Sequence, residues 1–228
     1  MQFVRVPDLQ ACAAPLAARL SSELRMGKRV LWLVPGGSNI PLTVSVMHDL
    51  PDELTVRLTI MLTDERYGDV GHPDSNTEQL HAAGFRPKHA DVIPVLRPNY
   101  SLGQTVKQYE SDYATQVAAA DIVIGQFGMG PDGHICGILP GSAAVGSADM
   151  THGYDAGNFV RVTLTPKALL QVTAAYVCAF GEPKRGALTQ LHDEELSLNE
   201  EPAQIIKQLP ESYVYNDLID DHITKGEN

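Results

Sequence analysis

The sequence predicts an α/β fold built on a mostly parallel sheet with helices on both faces. Two observations carry this expectation. Short apolar runs alternate with amphipathic stretches along the chain. The runs are apolar at successive positions rather than at every second one, the mark of strands covered on both sides.

The elements follow in order. Leu9, Ala13, Leu16, Leu20 and Leu24 recur at helical spacing, so a first helix runs from Asp8, its cap, to about Met26 and ends at Gly27. Arg29–Val34 is a buried strand, and Pro41 suits the first turn of a second helix. Val56–Leu62 is the next strand. A polar loop spans Thr63–Ser75, and a helix starts near Asn76. Asp91–Val95 is a weaker strand, Gly103–Ala120 a long helix and Asp121–Gly125 a core strand that opens onto a glycine-rich loop reaching Gly141. Phe159–Leu164 and Ala174–Phe180 read as strands, Glu182–His192 and Ala203–Leu209 as helices, and Tyr213–Tyr215 as a last strand.

The 228 residues allow one large domain or two small ones, and no linker or internal repeat divides them, so residues 1–228 are expected to form a single domain. The net charge of -11 and the absence of a Lys/Arg cluster argue against nucleic acid as a partner. An anionic ligand would therefore need a local pocket of positive groups. No apolar run approaches the ~18 residues of a membrane span. The Ala-rich stretch Ala11–Leu20 is read as helix rather than as a signal peptide because Arg19 interrupts it. Three cysteines with no paired spacing suit a reducing compartment, and the expected location is cytoplasmic.

In sheets of this kind, ligands bind beyond the carboxyl ends of strands. Three loops there stand out. Pro35-Gly-Gly-Ser-Asn39 can bring backbone N–H groups and the Ser38 hydroxyl to an anion, or it can be a turn that uses glycine for geometry alone. Asp64-Glu-Arg66, with Ser75-Asn76 beyond it, is either a solvated turn or a polar site. Gly128-Met-Gly-Pro-Asp-Gly-His134 contains GxGxxG, but Pro131 and the glycines and prolines that follow prevent the helix a dinucleotide site requires. It is read instead as a tight loop aiming Asp132 and His134 into a cleft. Arg161 and Lys184, each unremarkable alone, are candidates for the positive pocket. No cysteine or histidine spacing matches a metal site.

Taken together, these motifs resemble the 6-phosphogluconolactonase and glucosamine-6-phosphate deaminase superfamily. Gly36-Gly-Ser38 looks like its phosphate loop, and Asp64-Glu-Arg66 with Ser75-Asn76 resembles its signature between strand and helix. Gly128–His134 with Leu139-Pro-Gly141 is similar to its most specific motif. Arg161-Val-Thr-Leu-Thr165 and Gly181-Glu-Pro-Lys184 are like two later phosphate-binding positions.

The resemblance implies a modified doubly wound, glucosamine-6-phosphate deaminase-like fold with no metal or organic cofactor. It implies His134 as general base, with Gly36, Gly37, Ser38, Arg161 and Lys184 around the 6-phosphate and Arg66 and Asn76 contacting or shaping the substrate site. Asp64 and Asp132 both remain candidates for the acid that orients His134. The implied reaction is hydrolysis of a phosphorylated sugar lactone, 6-phosphogluconolactone, by a monomer or small homo-oligomer.

Within the superfamily the lactonase branch fits better. Deaminases resemble Asp-Glu-Tyr where this chain has Asp64-Glu-Arg66, and carry Glu where it has Leu139. The chain departs from the usual lactonase His-Thr-Ala-Ser-Leu-Phe-Pro, reading His134-Ile-Cys-Gly-Ile-Leu-Pro140. A sugar-phosphate sensor is the non-enzymatic alternative. Such sensors usually carry a DNA-binding helix-turn-helix, and a first strand near Arg29 leaves no room for one.

Overall fold

A computed structural model describes residues 1–220, so the expected domain is described except for its last eight positions. The chain opens with strand β1 (Gln2–Arg5). Asp8 then caps a 3₁₀ turn (Leu9–Cys12) through its Oδ1, which accepts the Ala11 N–H at 3.0 Å. Helix α1 (Ala13–Arg25) follows, with Leu16, Leu20 and Leu24 buried on one stripe. Strand β2 (Val30–Val34) is buried at all five positions. It leads through the Gly37–Asn39 turn into α2 (Ile40–Asp49).

Strand β3 (Leu58–Leu62) precedes the short β4 (Asp64–Arg66) and helix α3 (Asn76–Ala82). Next come β5 (Asp91–Ile93) and α4 (Leu102–Ala119), the latter closed by a Ser101–Gln104 capping box. Strand β6 (Ile122–Gly128) leads to the glycine-rich loop, followed by β7 (Thr151–Asp155), β8 (Val160–Leu164) and α5 (Pro166–Leu169). The described chain closes with β9 (Ala174–Cys178), α6 (Arg185–Asp193) and β10 (Glu211–Asn216).

Seven strands form one sheet in the order β1-β10-β9-β6-β2-β3-β5, with every pairing parallel. The chain steps from β2 outward to β3 and β5, then returns to place β6 on the other side of β2. The reversal opens a crevice beyond the carboxyl ends of β2 and β6, where such sheets hold their ligands. A second, antiparallel sheet of three strands, β4-β8-β7, stands apart from the first.

Several expectations need correction. The first strand is Gln2–Arg5, not the run near Arg29; with one fully buried side chain, Phe3, it shows no apolar run. The segment Thr63–Ser75 is not all loop, because Asp64–Arg66 pairs with β8. Residues 52–57 form a 3₁₀ helix with Val56 exposed, so the following strand begins at Leu58. Pro94 has no N–H to donate, and β5 stops before it. Strand β6 runs on to Gly128. Residues 202–208 form a 3₁₀ rather than an α-helix, and Glu182–Lys184 is a 3₁₀ turn ahead of α6. Strand β7, polar and half-buried, has no signal a hydrophobic pattern would detect.

Candidate active site

A cleft of about 320 Å³ lies over the β2–β6 crevice. Its walls come from the loops Pro35–Asn39 after β2 and Gly128–Cys136 after β6, from Asp64 and Arg66 of β4 with Asn76 at the start of α3, and from Lys184 after β9, with Arg161 of β8 across from them. Of the residues singled out in the sequence, Gly36, Gly37, Ser38, Asp64, Arg66, Asn76, His134, Arg161 and Lys184 all line this one cleft. Asp132 stands behind His134 rather than on the wall.

Antiparallel pairing explains the basic wall. Arg66 of β4 lies directly opposite Arg161 of β8. Like charges directly opposite each other destabilise a ladder, a cost that an anion in the cleft would offset. Each guanidinium is also held in place. Arg66 donates to the Asp74 carbonyl at 2.7 Å and lies over the Phe159 ring, 5.0 Å from its centroid. Arg161 approaches Asp64 at 3.8 Å. Burial raises the Asp64 carboxyl above its ordinary pKa, and the Arg161 charge opposes that rise without cancelling it. Burial likewise pushes the Lys184 ammonium below the usual lysine value, against the pull of Cys178 and Asp217. A desolvated ammonium beside a cleft gains more than a surface lysine from meeting an anion.

The two candidate acids are separated by distance. Asp132 Oδ1 lies 2.6 Å from His134 Nδ1 and also accepts the His134 backbone N–H at 3.2 Å. Asp64 instead faces Thr63 and Arg161. Burial favours the neutral form of Asp132, but the His134 charge and hydrogen bonds prevail and hold its carboxyl below the ordinary range. An ionised carboxylate only accepts, so the Nδ1 proton belongs to the ring. In neutral imidazole this leaves Nε2 as the basic nitrogen. Gly130 makes the arrangement fit: a Cβ there would sit 2.1 Å from Nδ1 and 2.5 Å from the Asp132 carboxylate. The Gly36 position is equally constrained, since its Cβ would meet Asn76 Oδ1 at 2.0 Å.

Two features escaped the sequence reading. Cys136 lines the cleft from a left-handed backbone conformation (φ 55°), its thiol pushed well above the ordinary value by burial and the Asp64 charge. Glu65, fully buried, points away from the cleft because side chains alternate along β4. Its carboxylate accepts five hydrogen bonds: Arg66 N–H, Asn76 N–H, Thr77 N–H, Ser75 Oγ–H and Thr77 Oγ1–H, at 2.6–3.0 Å. Burying a carboxylate costs several kcal/mol. Hydrogen bonds to a charged group contribute about 1.5–3 kcal/mol each, so five together hold it in place without a cation. In the sequence Glu65 shows only as the middle residue of Asp64-Glu-Arg66, with its donors Ser75 and Asn76 at the start of the next helix. Among the described residues, no group of three or more His, Cys, Asp or Glu side chains is arranged to hold a metal ion.

The profile of the glucosamine-6-phosphate isomerases/6-phosphogluconolactonase family matches residues 8–214, nearly the whole chain. The chain belongs to this family. A relative from Xylella fastidiosa named 6-phosphogluconolactonase is 27% identical over 187 residues, covering 77% of each chain. Among solved structures, a 6-phosphogluconolactonase from Shewanella baltica superposes with a TM-score of 0.79 at 20% identity, covering 95% of this chain and 97% of its own. A monomeric glucosamine-6-phosphate deaminase described as a missing link of its superfamily has a TM-score of 0.73 at 17% identity, covering 95% and 97%. At these identities the structures establish the glucosamine-6-phosphate deaminase-like fold, which both activities share. The choice between activities falls to the residues of the cleft.

Proposed function

We propose that this family member hydrolyses 6-phospho-D-glucono-1,5-lactone to 6-phosphogluconate, with His134 as general base. The observation that carries the reading is the single cleft that joins an Asp132-backed imidazole to a cationic wall of Arg66, Arg161 and Lys184. The names of the curated relatives point the same way.

In this reading, Lys184, Arg161, the Ser38 hydroxyl and the N–H groups of the Gly36–Ser38 loop hold the 6-phosphate and so position the ring through a group remote from the reacting carbon. His134 Nε2 takes a proton from water as the water oxygen bonds to the lactone carbonyl carbon. The carbonyl oxygen becomes an oxyanion, received by backbone N–H groups of the glycine-rich loop. Collapse breaks the bond to the ring oxygen, which takes the proton back from the imidazolium. Asp132 keeps the ring oriented and stabilises its charged form through both steps. Asp64 is reassigned from the histidine to Arg161, which it faces. The unit of activity is the chain as a whole, residues 1–228, working in the cytoplasm as a monomer or small homo-oligomer.

The test is hydrolysis of freshly prepared 6-phosphogluconolactone, followed by acid release and corrected for spontaneous decay. Catalysed turnover that collapses in His134→Ala is expected. Ammonia release from glucosamine 6-phosphate, without lactone turnover, would overturn the proposal in favour of the deaminase branch.

A further inference from the structure

Glu65 makes more hydrogen bonds than any role in capping a seven-residue helix requires, and the groups it holds belong to the cleft wall. Its Oε1 accepts the backbone N–H groups of Arg66 and Asn76, at 2.8 and 2.6 Å, and so ties the strand that bears Arg66 to the residue that opens α3. Its Oε2 takes Ser75 Oγ–H, Thr77 N–H and Thr77 Oγ1–H. Asn76 is thereby fixed with its Nδ2 on the Asp64 carbonyl at 2.9 Å and its Oδ1 packed where a Gly36 Cβ would be. That Oδ1 is buried and has no hydrogen-bond partner, at the edge of the cleft. A buried acceptor left open is costly unless something comes to meet it.

We propose that Glu65 is a positioning residue for sugar-phosphate binding: it locks Asn76 between Asp64 and Gly36, so that the phosphate loop and the Arg66 wall keep one fixed separation. This rests on the cleft being the sugar-phosphate site. The carboxylate touches no substrate. It acts through Asn76 and the loop, whereas His134 stands on a different loop after β6. Losing Glu65 therefore weakens binding and spares the chemical step.

Glu65→Gln keeps the shape but replaces one accepting oxygen with an NH₂ group that faces donors. Its KM for the lactone and its calorimetric Kd for 6-phosphogluconate should both rise about tenfold while kcat holds within about twofold, the pattern of lost uniform binding. Asn76→Ala should show the same defect, and the double variant should be no worse than either single one, because the two act as one unit. Thr77→Val removes a single donor to Glu65 outside the cleft. It should show a smaller rise in KM and Kd, and it serves if the glutamine variant fails to fold.

A fall in thermal stability with KM and Kd unmoved in Glu65→Gln, or in Thr77→Val where the first does not fold, would reduce Glu65 to a helix cap and overturn the proposal, as would defects that simply add with Asn76→Ala. Wild-type protein that binds 6-phosphogluconate without hydrolysing the lactone would sink the lactonase reading alone, and Glu65 would then be judged on Kd. Wild-type protein that neither binds nor hydrolyses would sink both.

Discussion

Asp132 Oδ1 receives both the ring Nδ1 and the backbone N–H of His134, at 2.6 and 3.2 Å. One oxygen thus sets the orientation of the imidazole and the conformation of the loop that carries it. His134→Ala should lower kcat by ~10²–10⁴, the usual worth of a general base. Asp132→Asn can still hydrogen-bond but no longer selects the Nδ1-protonated ring. It should lower kcat by at least about tenfold, and by less than loss of the imidazole. Steady-state kinetics on fresh lactone measure both, and equal turnover in Asp132→Asn and wild type would remove the aspartate from the mechanism.

Gly130 provides a test of that geometry from the other side. A methyl group there cannot coexist with the present positions of His134 Nδ1 and the Asp132 carboxylate. Gly130 also accepts the Gly133 N–H at 3.1 Å and donates to the His134 carbonyl at 2.9 Å, so the loop has little room to yield. Gly130→Ala should therefore displace the ring. Expected are a loss of kcat approaching that of His134→Ala and a stability cost of roughly 1–3 kcal/mol, typical of overpacking. Wild-type kcat in this variant would show that the imidazole does not act from its present position.

Lys184 should make phosphate binding pH-dependent. Its folded-state pKa is depressed chiefly by burial, so it loses its charge at lower pH than an ordinary lysine. As pH rises, affinity for 6-phosphogluconate should begin to fall before the ordinary lysine value of ~10.4 is reached and weaken by about tenfold per pH unit above the midpoint, the slope for one linked proton. Lys184→Arg keeps its charge throughout this range and should flatten the dependence. Stability follows the opposite direction. A lysine with a depressed folded pKa takes up its proton more readily unfolded, so its contribution is present above the unfolded pKa and is lost as pH falls through the folded one. Calorimetric titration between pH 7 and 10 reads the binding arm. A flat Kd in the wild type would separate Lys184 from the phosphate.

The sequence made the central sheet visible because β2 and the first part of β6, Ile122–Gly125, are unbroken apolar runs and α1 repeats leucine every fourth residue. The antiparallel sheet was hidden for the opposite reason. Strands β4 and β7 are short and polar, and Asp-Glu-Arg reads as solvent-facing until its partner β8 is known. That partner, nearly a hundred residues away, also sets Arg66 against Arg161, a relation no local pattern contains. The loops of the cleft could be read from glycine spacing and from the family resemblance. Alternation along β4, which turns Asp64 and Arg66 toward the cleft and Glu65 away from it, could be read only once β4 was known to be a strand.

Asp64 yields the last prediction, through the sign of its shift. Burial raises its folded-state pKa, and the nearby Arg161 charge offsets that only in part. Between the unfolded and folded values the native protein holds a proton that the unfolded chain releases. Stability from this group is therefore greatest below the unfolded pKa and falls as pH rises through the folded one. Asp64→Asn has no such proton, and its unpaired Arg161 carries a cost that does not change over the same range. The melting temperature of the variant, measured against wild type from pH 4 to 7, should rise relative to wild type as pH increases. A variant melting temperature that instead falls further below wild type as pH increases would mean that Asp64 is held ionised by Arg161, and that the pair, rather than burial, governs the carboxyl.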